Sequence, residues 1–331
     1  MGNMANIQKC ENSTIGNENN VSADDKFNER IMNIVSVPLY AILLLIVISL
    51  GCTVDLKKLW CHFKRPWGLA VGLVCQFALM PLIAFTLATS FHLKYAPAIA
   101  VLVMGSCPGG ILSNVMSYWT DGDMDLSIFM TVFSTILATG LMPLNLFIYS
   151  PLLTQGVNDT RILCMIEVPY KHIGIALVSL IIPLLFGIFI TRKWPNLSKI
   201  LLKAGATVGS VLFLIISVTT SVLYRGPWNA DPSLLIIGAI NPLIGYAAGF
   251  IFAVIFQQSW KRCRTIAFET GTQNGHLCTT ILLLAFKSGK RKSMFAYPFI
   301  YILFQIFHGL IFIAVFQIYK RCWKWGHGVT A

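Results

Sequence analysis

Charge is scarce in this chain. Asp, Glu, Lys and Arg make up 11% of its 331 residues, against roughly 25% in a soluble domain. A hydrophobic fraction of 56% and a mean hydropathy of +0.71 place it in lipid, with no room for a separate soluble domain. The nine cysteines show no CxxC and no Cys/His ligand spacing, which argues against a zinc site and a disulfide framework. Cys10 and Cys164, both expected outside, are candidates to pair. A cleavable signal is not expected, because the first apolar run follows a polar, Asn-rich tail. Asn6 stands where a myristoylation start needs Ser or Thr. Runs alternating over roughly ten residues, the mark of β-barrel strands, are missing too.

What is present is a series of long apolar runs with the periodicity of buried helices. The expected fold class is all-α, a polytopic membrane protein with nine transmembrane helices. The runs are 31–52, 67–90, 96–119, 126–149, 172–191, 205–224, 233–256, 265–286 and 294–319. Residues 1–30 read as a disordered, glycosylated extracellular tail, and 320–331 as a short cytoplasmic tail. All 25 Lys and Arg residues fall outside these spans. Fourteen lie on one side: Lys57, Lys58, Lys64, Arg65, Arg192, Lys193, Lys199, Lys203, Lys261, Arg262, Arg264, Lys320, Arg321 and Lys324. Basic loops stay in the cytoplasm, so the N-terminus is expected outside and the C-terminus inside. The net charge of +12 thus reads as topology, not nucleic-acid binding. The run Lys287–Lys292 goes against the rule. Sequons at Asn12, Asn20 and Asn158 then face the glycosylating side. All eight tryptophans fall at span ends, as an aromatic belt requires.

Two spans are interrupted. Span 3 holds Gly105-Ser106-Cys107-Pro108-Gly109-Gly110 followed by Ser113-Asn114. Span 8 holds Glu269-Thr270-Gly271-Thr272-Gln273-Asn274-Gly275. Backbone freed at membrane depth needs protein, water or ions as partners. Spans 5–9 form a block of five broken in its fourth helix, and spans 1–4 match it if a first helix is missing. The layout is an inverted repeat with two interrupted, crossing helices, the sequence pointer to a transporter's midplane site. The plainer reading is that Gly and Pro only kink or pack these helices.

Of thirteen acidic residues, only Glu269 lies in a span. An intramembrane carboxylate with no basic partner is a functional-site hypothesis. A hard cation such as sodium takes oxygen ligands, and Ser113, Asn114, Ser127, Thr131, Glu269, Thr270, Thr272, Gln273 and Gln76 can build two oxygen cages sharing the one carboxylate. Plainer readings stay open: hydroxyls that back-bond their own helix, an interhelical bond from Gln76, and a permanently protonated Glu269. His276, seven residues beyond Glu269, reads as a proton-relay member or a structural histidine; His308 is similar.

These segments resemble the bile acid:sodium symporter family of animals from about residue 31 to 322. The matching text is Gly51-Cys52, Lys64-Arg65-Pro66-Trp67-Gly68, Cys75-Gln76-Phe77, Cys107-Pro108-Gly109-Gly110 with Ser113-Asn114, Asp121-Gly122-Asp123-Met124-Asp125-Leu126-Ser127, and Arg262-Cys263-Arg264-Thr265 leading into Glu269-Thr270-Gly271 and Gln273-Asn274. Trp119 and the exit of span 7 are similar to the ileal bile acid and sulfated-steroid branches. The resemblance implies sodium-driven import of an amphipathic organic anion. It puts Ser113, Asn114, Ser127, Thr131 and Glu269 at a first sodium site. Gln76, Glu269 and Gln273, with Thr270 and Thr272, fall at a second. Asn274 and Gln305 match positions near the substrate path. Ile111, Val132-Phe133, Asn241 and Gly275-His276 depart from the family pattern, so Asn241 and His276 join the substrate-path candidates.

The reading is therefore a plasma-membrane symporter whose partners are Na+, a bile acid or steroid-conjugate anion and the bilayer. It has no nucleic acid, no cofactor and no metal beyond the co-transported ion, and its oligomeric state is open. An enzyme is not expected, since Glu269 has no second membrane acid for a dyad. The rivals are a non-transporting ligand-binding receptor, which seven spans and a long tail would favour, and a proton-coupled carrier using Glu269 and His276.

Overall fold

The computed structural model describes residues 23–54, 66–154, 170–203, 205, 208, 211–212, 215, 232–285, 294 and 296–326. Asn12, Asn20, Asn158, Cys10, Cys164, most of span 6 and the Lys287–Lys292 run lie outside them. The described regular structure is helical apart from one isolated bridge. In chain order α1 is Ala23–Cys52, α2 Trp67–Ser90, α3 Tyr95–Gly105, α4 Ile111–Trp119, α5 Met124–Tyr149 and α6 Tyr170–Ser179. Then come α7 Ile181–Lys193, α8 Pro195–Lys203, α9 Pro232–Ile255, α10 Trp260–Gly271, α11 Gly275–Ala285 and α12 Ala296–Gly326. Helix α1 begins eight residues before the predicted span 1, inside the segment read as a tail.

Among the described residues, five helical stretches are long and apolar enough to cross a bilayer: Trp67–Ser90, Met124–Tyr149, Ile173–Lys193, Pro232–Ile255 and Ala296–Trp323. Spans 3 and 8 are absent from that set because each is cut into two short helices, α3/α4 and α10/α11. Large apolar side chains such as Ile182, Phe147 and Leu310 are exposed on the outer faces of these helices. In water that would be a liability; in lipid it is the expected surface.

Close helix contacts run through small residues, as membrane packing favours. A Cβ on Gly51 of α1 would lie 2.3 Å from the Leu184 carbonyl of α7, and one on Gly187 would lie 2.2 Å from the Ile48 carbonyl. The α9–α10 contact uses Gly249 in the same way, 2.7 Å from the Thr270 hydroxyl. Helix α3 is buried from Ala98 to Gly105 and forms the middle of the core with Leu277, Cys278 and Ile281 of α11. Helices α2, α4 and α9 end in one type of turn. His92, Asp121 and Gln257 have φ of 48°, 52° and 53°. The next residue in each case bonds back to the carbonyl five before it: Leu93 to Ala88, Gly122 to Ser117 and Gln258 to Ala253. This is the left-handed C-terminal cap that glycine usually supplies.

Helix α2 carries a π turn over Cys75–Leu79. Pro81 has no N–H to give the Phe77 carbonyl, and the Asn145 side chain of α5 donates to that oxygen instead, at 3.0 Å. The π turn contains Gln76, and such turns recur at functional sites.

Candidate functional site: the crossover at Glu269

The two interruptions meet. Gly109 and Gln273 form an antiparallel bridge, with Gly110 N donating to Thr272 O at 3.2 Å and Asn274 N to Pro108 O at 2.9 Å. Other freed groups also find protein partners, as burial in a membrane favours. Gly109 N donates to Ser134 Oγ at 3.2 Å, and Gln273 N to Gln305 Oε1 at 3.1 Å. Gln76 Nε2 donates to Cys107 O at 2.7 Å, and Tyr301 OH to Gly271 O at 3.0 Å. The Gly-Gly pair is needed for approach: a Cβ on Gly109 would sit 3.0 Å from Glu269 Oε1, and one on Gly110 3.0 Å from Gln273 O.

Glu269 lies on the last turn of α10 with 1% of its surface exposed. Thr131 Oγ1 of α5 donates to its Oε1, and Asn114 Nδ2 of α4 donates to Thr131 Oγ1 at 3.4 Å. Ser113 Oγ donates to the Gly110 carbonyl at 2.6 Å, within the break. Three further oxygens of this group are buried without a hydrogen-bond partner: Glu269 Oε2, Asn114 Oδ1 and Ser127 Oγ. Among the described residues Glu269 joins no ion pair; the nearby basic residues Arg262 and Lys320 pair with Asp123 and Asp121. A carboxylate, an amide oxygen and a hydroxyl, each buried without a partner, make a hard-oxygen set of the kind a small cation takes. Four of the five residues expected at the first cage, Ser113, Asn114, Thr131 and Glu269, are thus brought to one place, with Ser127 one turn before Thr131 on α5.

The second set comes together in part. Gln76 Nε2 also donates to Gln273 Oε1 at 2.8 Å, Gln273 Nε2 donates to Thr270 O at 2.9 Å, and Gln76 Oε1 has no partner. The Thr270 hydroxyl back-bonds Ile266 O at 2.7 Å. Thr272 points elsewhere, with its hydroxyl 3.2 Å from Tyr246 OH and 3.6 Å from Met116 Sδ.

The substrate-path candidates also divide. Gln305 reaches the crossover backbone directly. Asn274 caps α11, its Oδ1 accepting from Leu277 N at 3.0 Å. Asn241 is fully buried in α9 and donates to Tyr297 OH at 2.9 Å. His276, seven residues beyond Glu269, does not share its face by helical phase, because Thr272–Asn274 is unwound between α10 and α11. Sequence reasoning missed Ser134, Asn145 and the buried Tyr246, Tyr297 and Tyr301. Polar side chains in the middle of apolar spans were the available signal, but only the fold shows which backbone groups they satisfy.

The arrangement defines a class: a multi-pass helical membrane protein in which two broken helices cross beside a buried carboxyl group. The family model for the Sodium Bile acid symporter family matches residues 40–226, and the chain belongs to that family. It is 50% identical to the sodium-dependent organic anion transporter of Homo sapiens over 86% of this chain and 74% of that protein. It is 42% identical to the ileal sodium/bile acid cotransporter of Oryctolagus cuniculus over 97% of this chain and 89% of that protein. The human ileal cotransporter is 43% identical over 91% and 85% respectively.

Proposed function

We propose that this protein is a plasma-membrane symporter that imports an amphipathic organic anion, such as a bile acid or sulfated steroid, with sodium. One observation carries the reading: Glu269 is buried at the crossover near unpaired oxygens of Asn114 and, one turn before Thr131, of Ser127, and among the described residues it joins no ion pair. Sodium on Ser113, Asn114, Ser127, Thr131 and Glu269 supplies the missing charge. A second ion uses the Gln76–Gln273 side with Glu269, Thr270 and Thr272, which requires Thr272 to turn from Tyr246. The anion then lies near Gln305, Asn274, Asn241 and His276, its apolar body against the helix walls. Relatives whose names carry sodium with an organic anion or bile acid support this assignment.

In the topology that goes with it, nine spans form two inverted halves with the N-terminus outside, the C-terminus in the cytoplasm, and glycans on Asn12, Asn20 and Asn158. Sodium ordering the crossover favours the outward-open state, and rocking of one bundle against the other delivers the load inward. The test replaces sodium with choline at fixed pH while following labelled taurocholate and a labelled steroid sulfate. Uptake of at least one should collapse. Sodium-independent uptake that follows pH would instead favour proton coupling, and binding without uptake would favour a receptor.

A further inference from the structure

The oxygens around Glu269 repeat one helical turn nearer the Asp121–Asp125 loop. On α4 the step runs from Ser113 to Ser117, on α10 from Glu269 to Thr265, and at the start of α5 from Ser127 to Asp123. Each is four residues; on α4 and α10 the lower residue stays on the face of the upper one, about 6 Å along the axis, while the α5 step ends on the extended residue before the helix. Asp123 is the N-cap of α5, and Ser127 N closes the turn onto its carbonyl at 3.0 Å.

The lower ring is built, not merely spaced. Ser117 is fully buried and its Oγ has no hydrogen-bond partner. Thr265 is fully buried, and its hydroxyl accepts from Asp123 N at 2.8 Å and donates to Asp123 O at 3.3 Å. Gly122 lies between them: a Cβ there would come within 2.6 Å of Thr265 Oγ1 and 3.2 Å of the Ser117 Cβ. A side chain at this position would clash with the Thr265 hydroxyl, so glycine is what lets the loop close over Ser117 and Thr265. At the outer end the Asp123 carboxylate accepts from Leu126 N at 3.1 Å and pairs with Arg262 Nε at 3.2 Å. Lys320 pairs with Asp121 at 2.5 Å, and Arg264 donates to the Asp121 carbonyl at 2.9 Å.

We propose that Ser117, Thr265 and Asp123 form a weaker stopping point for sodium between the Glu269 site and the cytoplasm, and that Arg262 holds Asp123 closed between ions. The proposal rests on the symporter reading and on this loop facing the cytoplasm. Two hydroxyls and a shared carboxylate are a poorer donor set than the Glu269 cage, which suits release, since an exit path must bind an ion without keeping it. An arriving ion takes over Asp123, and Arg262 is displaced.

The test uses the full chain in sealed right-side-out vesicles, with labelled taurocholate and steroid sulfate uptake measured per surface molecule at set internal sodium. For Ser117→Ala and Thr265→Val, half-saturating external sodium should stay within about twofold of wild type, while maximal uptake falls by about fivefold and the internal sodium giving half-inhibition rises by about fivefold. Thr265→Ser should restore both. Arg262→Gln should move internal inhibition the other way, by about threefold. Unchanged internal inhibition in Ser117→Ala and Arg262→Gln, with wild type sodium-dependent, overturns this proposal and leaves the symporter reading standing. So does external affinity moving in step with internal. Wild type with no sodium dependence overturns the symporter reading, and this proposal with it.

Discussion

Glu269 shows how much one residue can say and where it stops. It is buried and, among the described residues, has no basic partner, an energetic problem that a bound cation would solve. Glu269→Gln keeps the shape and the Thr131 contact but removes the charge. Its half-saturating sodium should rise by about tenfold or more, equivalent to about 1.4 kcal/mol of lost binding, measured as sodium-dependent uptake corrected for surface expression. Gly109 is the matching test from the other break. An Ala there brings a methyl 3.0 Å from Glu269 Oε1 and should weaken sodium dependence at a cost of about 1–3 kcal/mol. Gly174, whose Cβ would meet nothing within 4 Å, is the control: Gly174→Ala should transport like wild type.

At the scale of the element, the breaks are tolerated because other elements answer for their backbone. The π turn of α2 illustrates the rule: Pro81 removes a donor and Asn145, on α5, replaces it. Asn145→Leu would leave the Phe77 carbonyl buried and unpaired, costing about 1–2 kcal/mol. A thermal-shift measurement in detergent should show a fall of a few degrees. Tyr301→Phe removes the only hydroxyl donating to Gly271 O among the described residues, and should lower stability by about 1 kcal/mol. Ordinary helical pattern could not have shown either dependence. Asn145 and Tyr301 are unremarkable in their own spans; their meaning comes from a carbonyl on another helix.

For the whole molecule, the face at Asp121–Asp125 is held by charge. Arg262, Arg264 and Lys320 draw the α4–α5 turn against α10 and α12, and Arg264 also lies 5.1 Å from the Phe316 ring centre. Partly exposed ion pairs weaken with salt. Lys320→Gln should therefore cost little stability, under about 1 kcal/mol, and the difference from wild type should shrink in 0.5 M salt by thermal shift, taking the scale from the screening length of about 10 Å at 0.1 M.

Composition and long-range pattern were enough to determine that the chain lives in lipid, that span 3 and span 8 are broken, and that Glu269 is the only acid in a span. These are one-dimensional properties: hydropathy sums along a segment, and Gly and Pro act on their own backbone. That Ser127 and Thr131 share a helix face was legible, because they are four residues apart; their grouping with Asn114 and Glu269, on other helices, came from the resemblance to the family. What needed the tertiary structure was every choice between partners. Thr272 turns to Tyr246, Gln76 bridges Gln273 and the Cys107 carbonyl, and His276 loses its phase with Glu269 across an unwound turn. A break in a helix discards the periodicity that lets sequence count faces, so beyond it only packing decides where a side chain points.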